Sequence, residues 1–191
     1  MKRLLALLLL IVVPFAGLAQ TPPAEESTMV KIRKLDLYNQ ILPVLLTKEQ
    51  LEKLLPAIER ARSKAKEIER KEAAELAALN KELDEAIAKA RDQGQVPKLE
   101  MVQKVEQLLW SIAIRRNATV NENTNAVVAV LEAELNEGQK RAAANSLRPK
   151  AFDPNVREEE LTTSDKLRLF TRVILLDSMA YDILVALSRK R

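Results

Sequence analysis

The chain has 191 residues, a formal net charge of +4 at pH 7, and neither histidine nor cysteine. Their absence excludes haem attachment, thiol nucleophiles, His-based catalytic triads and zinc sites of the usual composition. Three glycines are too few for a chain built of turns or for a phosphate-cradling loop. We therefore predict an all-α protein that is not an enzyme and that holds no metal and no cofactor.

The first 19 residues have the pattern of a secretory signal peptide. Lys2 and Arg3 form a basic start, Leu4 to Val13 form an apolar run, and Gly17-Leu18-Ala19 supplies small residues before a cleavage site. The apolar run is shorter than the roughly 20 residues that span a bilayer, which favours cleavage over an uncleaved membrane anchor. We predict a periplasmic protein with no membrane span after cleavage. Without Lys2 and Arg3 the formal charge falls to +2, which gives no reason to expect a nucleic-acid partner.

The remainder is predicted to form one helical domain over residues 29–191. Residues 20–28 are polar, include two prolines and have no periodicity, so we expect a disordered linker there. A first helix is expected from Met29 to Leu42, because Pro43 disfavours helical geometry in the residue before it.

The stretch LTKEQL, residues 46–51, has three features that start a helix. Thr47 is a good N-cap, and Gln50 stands three residues later, where its side chain can complete a capping box. Leu46 and Leu51 have the spacing of a hydrophobic staple. We therefore predict that a helix begins here, with a kink at Pro56.

Apolar residues spaced by threes and fours predict a long, coiled-coil-like antiparallel helical hairpin over residues 57–135. The first arm is expected to run towards Asp92, and Gly94 to Pro97 supplies the stop and restart. Asn117 to Asn125 is rich in residues that disfavour helix interiors, so we expect a bent or frayed turn there rather than a binding feature.

Two further segments complete the helical pattern. LNEGQ, residues 135–139, repeats the spacing of the first motif, with Asn136 as the cap. Residues 164–189 predict one apolar C-terminal helix, which four charged residues make more suitable for burial than for a membrane.

Trp110 is the single tryptophan of the chain, and Arg115 and Arg116 lie close to it in the second arm. We expect Trp110 to fill the core where the hairpin meets another helix. The alternative is an exposed apolar anchor beside basic residues, in which case these three residues would form a polypeptide-binding surface.

Leu46 to Gln50 resembles the LTxxQ motif that names the Spy/CpxP-type periplasmic proteins, and Leu135 to Gln139 resembles a second copy of it. The resemblance covers roughly residues 36–146. It implies a Spy-like fold, a long hairpin with flanking shorter helices in a cradle-shaped homodimer. It also implies either an ATP-independent chaperone that holds unfolding clients or a stress-response adaptor that damps a sensor kinase.

The residues that carry this resemblance are interpreted as structural caps rather than as a client-binding site: Leu46, Thr47, Gln50, Leu135 and Gln139. Relatives that bind heavy metals need histidine or acidic clusters, and this chain has no histidine. We expect partners that are unfolded or dedicated polypeptides. The alternative function is a structural or adaptor coiled-coil protein of the cell envelope with one dedicated partner.

Overall fold

The computed structural model describes residues 26–149 and 155–190, and within these ranges every regular element is helical and no strand is present. The prediction of an all-α fold is confirmed. The predicted signal peptide lies outside the described residues, as do residues 20–25 of the predicted linker. The last residues of the predicted linker belong to the start of α1. The Ser27 hydroxyl caps this helix by accepting from the Val30 N–H, and Thr28 is its first residue.

The chain forms seven α-helices in the described ranges. They are α1 (Thr28–Ile41), α2 (Lys48–Ala77), α3 (Asn80–Gln93), α4 (Leu99–Glu134), α5 (Glu137–Asn145), α6 (Thr163–Phe170) and α7 (Ala180–Lys190). Short 3-10 turns follow α1 at Leu42–Val44 and precede α6 at Glu158–Glu160. A five-residue π-helix, Thr171–Leu175, continues directly from α6.

Helices α2 and α3 form one arm of a hairpin, and α4 forms the other arm. Gly94 ends α3 in the left-handed conformation, with φ of 64°, which costs glycine no Cβ clash. Ion pairs cross between the arms from the start of α2 to the start of α3: Lys53–Glu134, Lys64–Glu122, Glu72–Arg116, Glu75–Arg115 and Glu82–Lys104. Residue numbers rise along the first arm as they fall along the second, so the arms run antiparallel.

The hydrophobic core lies at one end of this hairpin, which we call the base. Side chains from every α-helix except α3 meet there, and Phe170, Leu37 and Leu131 are among the largest that are fully buried. Beyond Ala61 on the first arm, only Glu72 and Leu79 are buried. Helix α3 contains no buried residue, and the first buried residue of α4 is Ile112. The half of the hairpin away from the base is therefore held by surface pairs rather than by a packed core.

Two predictions about the arms are corrected by the structure. The first arm is not continuous to Asp92, because a turn at Ala78 and Leu79 separates α2 from α3. Pro56 lies inside α2, and the kink expected there stays a prediction. The interval Asn117–Asn125 is regular helix within α4 rather than a frayed turn.

Buried polar contacts explain why that interval stays helical. The Asn123 side-chain amide donates to the Ala61 carbonyl across the hairpin at 3.0 Å. The Thr124 hydroxyl donates to the Val120 carbonyl one turn earlier, at 2.7 Å. The Asn123 amide therefore has a partner outside α4 and does not compete for its backbone hydrogen bonds, and the Thr124 hydroxyl is satisfied by sharing a carbonyl within the helix.

The predicted single C-terminal helix over residues 164–189 is also wrong. It is divided into α6, the π-helix and α7, and Asp177 is at the break. The Asp177 carboxylate accepts from the Met179 backbone N–H at 2.9 Å and from Arg33 of α1 at 2.7 Å. An aspartate that takes a backbone N–H two residues on favours a turn over a helix interior. The expected burial is found, since Phe170, Ile174 and Leu184 lie in the core.

Among the described helices, none combines the length and the apolar character needed to cross a membrane.

Candidate functional site

The two motifs begin helices as their spacing predicts. Thr47 caps α2 by accepting from the Gln50 N–H at 3.2 Å, and the Gln50 side-chain oxygen accepts from the Thr47 N–H at 2.9 Å. Asn136 and Gln139 form the same reciprocal pair at the start of α5, at 2.9 and 3.1 Å. Each motif is therefore a complete capping box.

The structure also brings the two motifs together. The Gln50 amide nitrogen donates to the Gln139 side-chain oxygen at 2.9 Å, and the Gln139 amide nitrogen donates back to the Gln50 oxygen at the same distance. Each amide donates its second hydrogen to a backbone carbonyl just before the other motif: Gln50 to Glu134 at 2.7 Å and Gln139 to Leu45 at 3.2 Å. The junction is therefore symmetric, with a local two-fold relationship between the motifs.

This motif junction is structural in character. Gln139 is buried, and the motif leucines Leu46 and Leu135 are buried in the core cluster. Leu45 adopts the left-handed conformation, with φ of 54°, which costs a non-glycine residue free energy. The hydrogen bond from Gln139 to its carbonyl helps to hold that turn. The junction ties the start of one arm to the end of the other, and its two glutamines hydrogen-bond each other and nearby backbone carbonyls, while Thr47 is exposed.

The predicted surface of Trp110, Arg115 and Arg116 is only partly brought together. Trp110 is 71% exposed, so the expectation that it fills the core is wrong. Arg115 pairs with Glu75, and Arg116 donates to Glu72 at 2.7 Å. Both arginines hold the hairpin arms together and do not form a cationic surface beside the tryptophan.

Trp110 belongs instead to an apolar patch on α4. Leu99, Leu109, Trp110 and Ile114 are exposed by 70, 52, 71 and 64% of their surface, respectively. Spacings of eleven and four residues place Leu99, Trp110 and Ile114 on one side of a helix. This side, which we call the α4 outer stripe, lies opposite the face of α4 that packs on the first arm through Ile112. Trp110 and Ile114 are one turn apart on it, and Leu99 lies about three turns before Trp110, beyond Gln103 and Glu106. Exposed large apolar side chains that lie close together, as Leu109, Trp110 and Ile114 do in sequence, mark interaction surfaces.

Sequence reasoning missed the stripe because its residues alternate with the seam residues of the hairpin. Val105 and Ile112 follow the seam, whereas Leu99 and Leu109, which continue its spacing by threes and fours in the sequence, lie exposed. The signal was available in the number of apolar residues, since a hairpin arm needs only one apolar stripe and α4 has enough for two.

Glu72 is the one acidic side chain among the fully buried large residues of the described ranges. Arg116 donates to the Oε2 atom of Glu72 at 2.7 Å, and Oε1 has no hydrogen-bond partner within the described residues. Burying a charge is costly unless it is paired, so this pair fixes the arms in one register rather than adding much stability. It lies where the packed base gives way to the open half of the hairpin.

Tyr181 of α7 lies against α2. Its ring is 4.4 Å from the Arg62 guanidinium carbon, a cation–π contact. Burial, followed by the nearby Glu59 carboxylate, raises the pKa of the Tyr181 phenol above its usual value of 10. The cluster joins the C-terminal helix to the first arm and has no accompanying group suited to acid–base chemistry at neutral pH.

Residues 26–149 and 155–190 contain no group of three or more acidic side chains placed to hold a metal ion. Comparison with protein-family models, with curated proteins and with solved structures found no match.

Proposed function

We propose that this protein is exported, is not an enzyme, and binds unfolded or partner polypeptides through the α4 outer stripe without using ATP. The observation that carries the proposal is the exposure of Trp110, at 71%, within a row of exposed apolar side chains on a single helix. Tryptophan contributes strongly to protein–protein binding when a partner covers it. An apolar surface without precise polar groups suits partners that share hydrophobicity rather than sequence.

The architecture supports a binding rather than a catalytic role. Core residues are concentrated at the base, so the open half of the hairpin exposes apolar surface without being needed for the core. The motif junction between Gln50 and Gln139 closes the base, which leaves the far half to meet partners. A helical scaffold that projects an apolar surface can protect a client simply by covering its hydrophobic segments.

The motif resemblance also supports a Spy-like arrangement and a location for this protein. A Spy-like arrangement, with a long hairpin and flanking helices in a homodimer, is consistent with the exposed apolar residues on α1 as well as α4, such as Met29 and Leu35. The signal-peptide pattern of residues 1–19 supports a periplasmic location for this activity. In that compartment a holding chaperone has to work without ATP.

The test is light scattering of two unrelated aggregating clients with and without the purified protein, in the absence of ATP. We expect both aggregation reactions to be suppressed at near-stoichiometric ratios. Trp110→Gln should weaken the suppression, since it removes the centre of the stripe and keeps a residue with good helix propensity. Val96→Gln is the matched control, because Val96 is also highly exposed, at 87%, but lies in the connection between α3 and α4.

Suppression of neither client would overturn the chaperone proposal and would favour an adaptor with one dedicated partner. Equal suppression by wild type and by Trp110→Gln would show that the protein suppresses aggregation through a surface other than the α4 outer stripe.

A further inference from the structure

A second apolar feature lies between α3 and the first turns of α4. Where the two arms face each other beyond Leu79, they leave a groove of about 510 Å³. Leu83 and Ala90 line it on one side, and Met101 and Val105 line it on the other. All four side chains are half-buried, whereas their counterparts nearer the base, such as Ile58 and Val127, are fully buried.

The groove is open because the core cluster that covers the base does not extend over α3. Ala86 and Ala90 of α3, one turn apart, are only half-buried, whereas Ala57 and Ala61, at the same spacing in the base, are buried. Unfilled space beside small side chains forfeits dispersion contacts. The groove could therefore accept a further apolar element.

The charges of the groove are placed at its two ends. Of the residues that line it, only Arg91 and Glu106 are charged. Arg91 lies in the last turn of α3, near the connection between the arms. Glu106 lies further from that connection, close to the cross-arm pair between Glu82 and Lys104. Arg91 also contacts its neighbour Asp92, but both side chains are more than half exposed, so that pair exchanges at little cost.

We infer that this groove binds one amphipathic helical segment of a client polypeptide, an inference that rests on the proposed function and specifies the class of client. A helix carries partial positive charge at its N-terminus and partial negative charge at its C-terminus. The bound segment therefore has its N-terminus at Glu106 and its C-terminus at Arg91, parallel to α3. The opposite orientation places like charges together at both ends.

The dimensions of the groove set the length of the segment. From Leu83 to Ala90 the groove follows α3 for about 11 Å at 1.5 Å per residue, or two helical turns. A segment of this length presents bulky apolar anchors at positions i, i+3 or i+4, and i+7, as in other helix-in-groove complexes. An extended segment would find no strand edge in the described part of the chain with which to pair.

The experiment measures binding of a synthetic amphipathic peptide, about 14 residues long with leucine at the anchor positions, by isothermal titration calorimetry. Ala86→Leu combined with Ala90→Leu fills the groove and should weaken binding about tenfold. The matched control combines Ala73→Leu with Ala77→Leu, two exposed alanines at the same spacing on α2. A peptide of the same composition with a central proline should bind poorly to the wild-type protein, because proline breaks the helix. Circular dichroism verifies that both double variants remain folded.

Orientation is tested separately by NMR, with a spin label on either end of the peptide. The C-terminal label should broaden the amide signals around Gly94, and the N-terminal label should broaden those around Lys104. Equal affinity for the groove-filled and control variants, or the reverse broadening pattern, would overturn the inference. Should the groove-filled variant lose the peptide but still suppress aggregation fully, the groove would not be a client site, while the proposed function would stand. Should the wild-type protein neither bind the peptide nor suppress aggregation, both proposals would fail.

Discussion

The side-chain amides of Gln50 and Gln139 donate hydrogen bonds to each other, both at 2.9 Å, although 89 residues separate them in the chain. Each glutamine also completes the capping box of its own helix. One residue type therefore serves two purposes at each position, starting a helix and joining it to the other motif. A capping box alone would accept glutamate in place of glutamine, but only an amide can both donate and accept across the junction.

This dual role predicts strong coupling between the two glutamines. Gln50→Ala should destabilise the fold by about 2 kcal/mol, because it leaves the buried Gln139 amide without one partner and removes half of a capping box. The double variant Gln50→Ala/Gln139→Ala should be destabilised by much less than the sum of the two single variants' destabilisations. Urea denaturation of the four proteins measures the coupling free energy, and exposed Gln103→Ala is the control, with an effect under about 0.5 kcal/mol. Additive effects of the two changes would show that the junction is not a single unit.

Thr47 tests whether the motif has a role beyond structure. Thr47→Ala removes the side chain that accepts from the Gln50 N–H and should cost about 1 kcal/mol of stability. Client binding per folded molecule should not change, since the motif lies at the base and the α4 outer stripe does not. Thermal melting and aggregation suppression are measured on the same samples. Loss of binding with an unchanged melting temperature would show that the motif contacts clients directly.

The buried Glu72 should depend on its partner. Within the part of the chain that the structure describes, Arg116 is the one side chain that hydrogen-bonds Glu72, so Arg116→Met should destabilise the protein by about 2 kcal/mol. The value lies below that of a fully buried pair, because the Arg116 side chain is 44% exposed and water screens the pair. Glu72→Leu, by contrast, should be neutral or stabilising, since it continues the apolar seam. Denaturant midpoints compare the two variants, and equal destabilisation by both would contradict this account of the pair.

The capping box at the start of α6 should make the stability of the fold depend on pH in the acidic range. The Thr162 hydroxyl, and after it the Thr162 backbone N–H, hydrogen-bond the Asp165 carboxylate and lower its pKa below the ordinary value of 3.8. A lowered pKa in the folded state adds stability that is present above that ordinary value and is lost as the pH falls through the folded pKa. Asp165→Asn should lower the melting temperature at pH 7 and reduce its fall between pH 5 and pH 3. Parallel curves for wild type and Asp165→Asn would contradict this assignment.

Much of the helical pattern could be predicted because it depends on neighbouring residues. The capping boxes at Thr47 and Asn136 involve groups three residues apart, so their spacing in the sequence contains the whole interaction. The stop at Gly94 depends only on its own left-handed conformation. Contacts between distant residues were not predicted, and the Gln50–Gln139 pair is the main example.

The remaining errors came from tertiary contacts that override local preference. Asn123 stays in a helix because the Ala61 carbonyl of the other arm accepts from it. The C-terminal helix breaks at Asp177 partly because Arg33, 144 residues away in sequence, holds the carboxylate in place. Trp110 was expected in the core because tryptophan is usually well buried, but other apolar residues of α4 occupy the seam with the first arm. A position on a helix face can be inferred from periodicity, whereas its burial depends on what lies opposite.

The most direct measurement of the central claim uses Trp110 itself, the one tryptophan of the chain and an exposed one. Its fluorescence is recorded while the protein is titrated with an unfolded client that contains no tryptophan. The account predicts a saturable shift of the emission to shorter wavelengths, as the client covers the indole and excludes water from it. Client binding by light scattering or calorimetry with no change in Trp110 emission would contradict the claim that the α4 outer stripe is the binding surface.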